Sequence, residues 1–128
     1  MTTKQLCTDY LNALNEGDLN AVRAMFAADG TVVSPLYGER PAHDFYADLF
    51  ADTRQSVTTL LNVFDTSESS NAVALHFRYD WTLADGTPAS FECVDVFELN
   101  DTRDSFTKLT IIYDNAPLRE DFNRLKTG

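Results

Sequence analysis

The hydrophobic period of this chain changes once, between residues 51 and 56, and that change limits the fold more than any other feature. Before it, apolar residues recur three and four apart; after it they alternate. Leu6, Cys7, Tyr10, Leu11 and Leu14 form a helical stripe, with Thr2 or Thr3 as N-cap and a stop near Gly17. Asp18 can cap a second helix carrying Leu19, Val22, Met25 and Phe26, which Asp29-Gly30 should end. A short strand, Thr31–Val33, is halted by Pro35 and Gly38. Residues 41–50 then predict a third helix, with Pro41 at its start and Ala42, Phe45, Tyr46, Leu49 and Phe50 along one face. Strands are expected at Ser56–Phe64, Ala72–Leu83, Ser90–Leu99 and Phe106–Asp114, separated by turns at Thr66–Asn71, Ala84–Pro88 and Asn100–Ser105. Leu118–Thr127 reads as a polar tail with room for a helical turn. Helices first and an antiparallel sheet afterwards define an α+β architecture. A strongly curved sheet wrapped around helices makes a cone-shaped barrel, and a cone holds a pocket.

The 128 residues fit one domain, spanning 1–128. Twenty acidic against ten basic residues leave a net charge of −10, and nothing gathers Lys and Arg into a patch. Nucleic acid is thereby excluded as a partner, and anionic lipids and substrates are disfavoured. The first residues carry no basic-then-apolar signal and no apolar run approaches ~18–20 residues, so a cytoplasmic protein with no membrane span is expected. Cys7 and Cys93 lie far apart on apolar faces and read as buried free thiols. With no CxxC and no Cys/His cluster, no metal or cofactor is expected.

Asp95 stands out within this pattern. In Phe91–Leu99, alternation puts Phe91, Cys93, Phe97 and Leu99 on one face, and Asp95 shares it. A carboxyl ringed by apolar neighbours must be paired or keep its proton, because burying a lone charge costs several kcal/mol or more. A neutral acid there is a strong hydrogen-bond donor, which makes Asp95 a functional candidate. Tyr10, on the apolar face of the first helix, needs a partner for its hydroxyl, and a buried acid is a natural one.

The run Tyr10–Leu19, then Met25–Val32, Phe45–Asp48, Asp95–Leu99 and Ile112–Asp114 resembles the nuclear transport factor 2-like superfamily, and within it the SnoaL-like and ketosteroid isomerase branch. The resemblance implies the cone fold. It leaves the activity open, because one fold hosts many functions. Tyr10 falls on the oxyanion-hole tyrosine of ketosteroid isomerases, Tyr46 on the tyrosine supporting it, and Asp95 on their protonated aspartic acid, a known case of a carboxyl kept neutral by its apolar site. Their catalytic base is an aspartate before a proline, and here Ser34 occupies that position before Pro35. A serine hydroxyl cannot shuttle a proton unaided at neutral pH. A fainter likeness to limonene epoxide hydrolases, which carry Arg-x-Asp and a further aspartate, rests on Arg78-Tyr79-Asp80, with Ile111 and Asp114 near the third position.

These readings imply a pocket for a small apolar organic compound bearing a carbonyl, enol or phenol. Tyr10 and Asp95 would donate to its oxygen, and Asp80, Asp114 or His43 would act as base, in that order. Ser34, His43, Tyr46, Arg78 and Ile112 would line the pocket. A non-catalytic binding module and a purely structural domain are the alternatives. The register of Ala72–Leu83 stays open. Plain alternation buries Val73, Leu75, Phe77, Tyr79, Trp81 and Leu83, whereas the family likeness turns His76, Arg78 and Asp80 inward and leaves Tyr79 and Trp81 outside. The outer sheet face is the expected homodimer surface.

Overall fold

The computed structural model describes residues 2–66 and 71–127. Helix α1, Thr3–Glu16, starts where the Thr2 hydroxyl accepts from Gln5 N. It ends at Gly17, whose φ of 65° is the left-handed conformation that closes a helix cheaply only without a Cβ. Asp18 caps α2 by accepting from Ala21 N, but α2 is short, Leu19–Ala24. The expected stop at Asp29-Gly30 is corrected: those residues lie inside strand β1, Phe26–Ser34, at an irregularity in its pairing between Phe26 and Thr31. The helix ends early because Phe26 packs on Tyr46 and Phe106, at centroid distances of 5.5 and 5.3 Å, and because Met25 O accepts from Phe106 N.

A four-residue strand, β2 (Gly38–Pro41), pairs with β1 in the stretch between the halt at Pro35 and the third helix, where no element was predicted. Helix α3 is Ala42–Ala51, after Pro41. Strands β3 (Thr53–Asp65), β4 (Ala72–Leu83), β5 (Pro88–Leu99) and β6 (Phe106–Ile112) complete one curved sheet in the order β2-β1-β6-β5-β4-β3. All neighbours are antiparallel except β1 and β6, which run parallel. The helices and the concave sheet face enclose the core, giving the α+β cone. The turn expected at Thr66–Asn71 lies largely outside the described residues.

The C-terminal segment is a full helix, α4 (Ala116–Thr127), rather than a tail. Leu118 and Phe122 are buried and Leu125 packs beside them, a stripe at i, i+4, i+7. Pro117 sits in the first turn, where its missing N–H costs nothing. In β4 plain alternation prevails: every odd position from Val73 to Leu83 is buried. Among the described residues no helix is long and apolar enough to cross a membrane.

Candidate active site

Three elements bring the site together. Tyr10 comes from the core face of α1, Ser34 from the end of β1, and Cys93 and Asp95 from the inward face of β5. With Leu14, Leu36, Tyr37, Phe45, Leu49, Phe77, Tyr79, Trp81, Phe91, Ile111 and Tyr113 they line a cavity of about 40 Å³. That is room for a few waters. An organic ligand requires the wall to yield. The lining residues that are only half-buried, Leu36, Tyr37, Phe91, Ile111 and Tyr113, mark the lip of the cavity.

Asp95 is 2% exposed and is the only carboxyl on this wall among the described residues. Its carboxyl receives one side-chain hydrogen bond there, a long one of 3.6 Å from the Cys93 thiol to Oδ1. A thiol is a weak donor. Burial therefore dominates and pushes Asp95 up to about 7, against a small downward pull from Cys93. Burial, followed by the Asp95 charge, pushes the Cys93 thiol up in turn. Cys7 is pushed up to about 12 by burial first. Both thiols are free and buried.

Tyr10 does not bond to Asp95. Its hydroxyl lies 2.7 Å from that of Tyr46, which stands behind the wall rather than on it. Phe97 and Phe106 fix the Tyr10 ring edge-on, at 5.0 and 6.1 Å. Burial pushes both tyrosines well above their ordinary range, so each hydroxyl keeps its proton. One of the two can donate to the other and leave a single O–H aimed at the cavity.

Ser34 is buried on the wall, but its Oγ accepts from Leu36 N and Tyr37 N, both at 3.2 Å. Its role is to fold the turn that follows β1, an internal cap of the kind serine commonly makes.

The remaining candidates lie elsewhere. Arg78 and Asp80 pair on the outer sheet face at 3.1 Å, and Ser90 also donates to Asp80. Those two partners hold the Asp80 carboxyl below its usual range. His76 shares that face and pairs with Glu92. His43 is exposed at the start of α3, and its carbonyl accepts from Arg23. Asp114 is exposed and accepts from Ala116 N at the start of α4. Ile112 faces outward and is 53% exposed, while its neighbour Ile111 lines the cavity. Strand alternation gives one physical reason for Arg78, Asp80 and Ile112: a two-residue period admits one set to the pocket and turns the next away.

Sequence reasoning missed Tyr37, Tyr79, Trp81 and Tyr113 as wall residues. The alternation of β4 carried a signal for Tyr79 and Trp81; Tyr37 sits in a turn, where no period exists. No group of three His, Cys, Asp or Glu among the described residues could hold a metal ion.

The family model for the SnoaL-like domain matches residues 7–103. No curated protein matches the chain in sequence. Among solved structures, a hypothetical protein with a ketosteroid isomerase-like fold from Catenulispora acidiphila, in complex with trimethylamine, is similar at 19% identity, covering 88% of this chain and 87% of that one, with a TM-score of 0.74. PrhC from Penicillium brasilianum is similar at 14% identity over 97% and 87% of the two chains, with a TM-score of 0.77. The epoxide hydrolase/cyclase-like enzyme SalBIII, of pyran ring formation in salinomycin, is similar at 19% identity over 85% and 88%, with a TM-score of 0.70. At these identities the likenesses show the fold.

Proposed function

The chain belongs to the SnoaL-like domain family, and from that premise we propose that its pocket takes a small, largely apolar carbonyl, enol or phenol compound and moves a proton on it. The observation that carries this reading is the Asp95 carboxyl, buried on an apolar wall and poised to about 7. A group with that pKa exists in both forms near neutrality, which suits it to take a proton from carbon beside a carbonyl and return it elsewhere. Tyr10, backed by Tyr46, donates to the oxygen on which charge develops, in a site too dry to screen it. The bases first considered, Asp80, Asp114 and His43, stand off the pocket, which leaves Asp95 to do this work. Among the described residues no Lys or Arg lines the wall, so the compound carries no carboxylate or phosphate into it.

A second reading, a binding module without turnover, is favoured by Ser34, whose Oγ is committed to the turn. An epoxide hydrolase-like reading loses its support with Arg78 and Asp80 on the outer face.

The test is a pH titration of 2-naphthol binding, followed by its fluorescence, in wild type and Tyr10→Phe. Wild type should bind the phenol with its oxygen ionised beside a protonated Asp95. Affinity should therefore rise as pH climbs toward 7, stay level while that single proton passes from phenol to Asp95 on binding, and fall only above the phenol's own pKa of about 10. Tyr10→Phe should bind roughly tenfold more weakly, as expected on losing a hydrogen bond to a charged oxygen. A wild type that binds nothing at any pH would make the cavity a closed core and end this reading.

We also place a second copy of the chain against the outer sheet face. Phe64, Ala74 and Val96 run across three neighbouring strands, with Val94 opposite Ile112 beside them. Arg78 and Lys108 there nearly balance Asp80, Glu92 and Glu98, so an acidic chain meets its copy where repulsion is least. Sedimentation should show a dimer that Phe64→Asp dissociates; a wild-type monomer at tens of micromolar would refute the assembly.

A further inference from the structure

The cavity is too small for the ligand just proposed, and its lip is held by bonds the site itself does not need. One side of the lip is Leu36 and Tyr37, carried by the turn after β1; the other is Phe91, Ile111 and Tyr113. Phe91 and Tyr113 stack on each other at 4.3 Å across β5 and the end of β6. The Tyr37 side is tied down from outside the cavity. Its hydroxyl donates to Asp52 Oδ2 at 2.7 Å, and Lys126 Nζ, from the last turn of α4, donates to the same oxygen at 2.9 Å. Lys126 also stands 5.9 Å from the centre of the Tyr37 ring. Phe122 meets that ring edge-on at 5.0 Å. Two residues earlier in the turn, Pro35 O accepts from both Asn115 Nδ2 and Arg119 Nη2, at 3.0 and 2.8 Å. Helix α4 thus grips the turn at two points, a carbonyl and a phenol.

Asp52 is unusual in this arrangement. It follows α3 with its side chain largely buried, at a helix C-terminus where the macrodipole disfavours a carboxylate. Tyr37 and Lys126 are the groups that compensate it. Neither Asp52 nor Lys126 lines the cavity of Tyr10 and Asp95, and Lys126 reaches Tyr37 from the far end of the chain. Such a cluster makes sense if the position of Tyr37 is what it sets.

We propose that α4 is a latch for the pocket, with Asp52 and Lys126 as positioning residues that hold Tyr37 closed across the lip, so that a ligand is admitted and released only as this cluster opens. This rests on the reading that the pocket takes a ligand. The opening is a local motion of the turn 34–37 with α4, bounded by the Ser34 cap on one side and β2 on the other. The closed state leaves room for no more than a few waters beside Asp95, and the open state supplies the volume that the closed one lacks. Two consequences follow. Weakening the latch accelerates binding and release together, and it leaves the affinity set by Tyr10 and Asp95 nearly unchanged.

The experiment is stopped-flow binding of 2-naphthol to the full chain in wild type, Lys126→Met, Lys126→Arg and Asp52→Asn. Lys126 is partly exposed, and asparagine keeps the shape of Asp52, so these variants leave the fold intact. Lys126→Met and Asp52→Asn should each raise the association and dissociation rates roughly tenfold, the loss of one charge-assisted hydrogen bond expressed as a rate. The dissociation constant should move less than about threefold, and Lys126→Arg should restore wild-type rates. Binding seen only in the two weakened variants also supports the latch. Unchanged rates in both, with affinity still dependent on Tyr10, would overturn the latch and leave the pocket reading standing. No binding in any of the four proteins would overturn both.

Discussion

Replacing Asp95 with asparagine should stabilise the protein above neutral pH while removing its proton chemistry. The sign follows from the direction of the shift. An acid whose folded pKa is raised holds its proton in the folded state after the unfolded chain has released it, so folding loses free energy as pH climbs between the two values. For Asp95 those values are the ordinary 3.8 and about 7. At about 1.4 kcal/mol per unit, the ionised carboxyl costs the folded state roughly 4 kcal/mol above pH 7, and none of that below pH 3. Asparagine has nearly the same shape and no proton to lose. The gap between variant and wild type should therefore widen by roughly 2–3 kcal/mol from pH 5 to pH 8. Asp80, Asp85 and Asp104, whose hydrogen bonds lower their pKa values, act in the opposite direction, but equally in both proteins. They cancel in the difference. Urea unfolding at pH 5, 6.5 and 8 measures it directly. Two curves that stay parallel across that range would mean that Asp95 is ionised and compensated in the folded state. Any turnover found for the wild type should fall by about 10²–10⁴-fold in the same variant, the usual worth of a positioned acid–base group. A residue that destabilises the fold and is kept on the wall of a cavity is one the structure tolerates for its chemistry.

How much of this was legible beforehand depended on whether a local rule or a distant contact fixed each residue. Thr2, Gly17 and Asp18 cap their helices as short-range chemistry requires, so the N-terminal helices could be read directly. Asp95 was legible because a two-residue period leaves no doubt which face it shares. Asp29-Gly30 was misread because the dipeptide that ends helices also suits an irregular strand, and only Phe106, eighty residues from Phe26, decides between them. Strand β2 has no apolar pattern of its own and exists by pairing with β1. The stripe of α4 was present in Leu118, Phe122 and Leu125 but is thin and set among polar residues, so the segment reads as a tail until its packing is seen. The resemblance implied Tyr46 as the support of Tyr10, and the two hydroxyls do pair; the Asp95 carboxyl, suggested as partner by burial alone, does not take that place. For Arg78 and Asp80 the strict alternation of β4 outweighed a family likeness. Nothing local marked Asp52, whose partners come from positions 37 and 126.

The largest loss of stability from a single truncation is expected at Phe106→Ala, and it bears on the site as well as on the fold. Phe106 is fully buried. It stacks on Phe97 at 4.1 Å and meets Tyr10 and Phe26 edge-on. Its own N–H holds the end of α2 through Met25 O. Removing the ring takes away the transfer energy and leaves a cavity that α1, β1 and β5 cannot all close on, a loss of about 3–5 kcal/mol. Against a typical total of about 5–15 kcal/mol, that is roughly a fifth of the stability or more. Phe106→Leu separates packing from positioning. Leucine fills most of the volume and should cost no more than roughly 1–2 kcal/mol, yet it offers Tyr10 no ring to abut. The Tyr10–Tyr46 hydroxyl pair should then lose its alignment with the cavity. Weaker 2-naphthol binding with only a small drop in the urea midpoint would show that the aromatic stack aims the Tyr10 hydroxyl. Wild-type affinity in Phe106→Leu would instead assign that task to Phe97 and Tyr46, with Phe106 serving the fold.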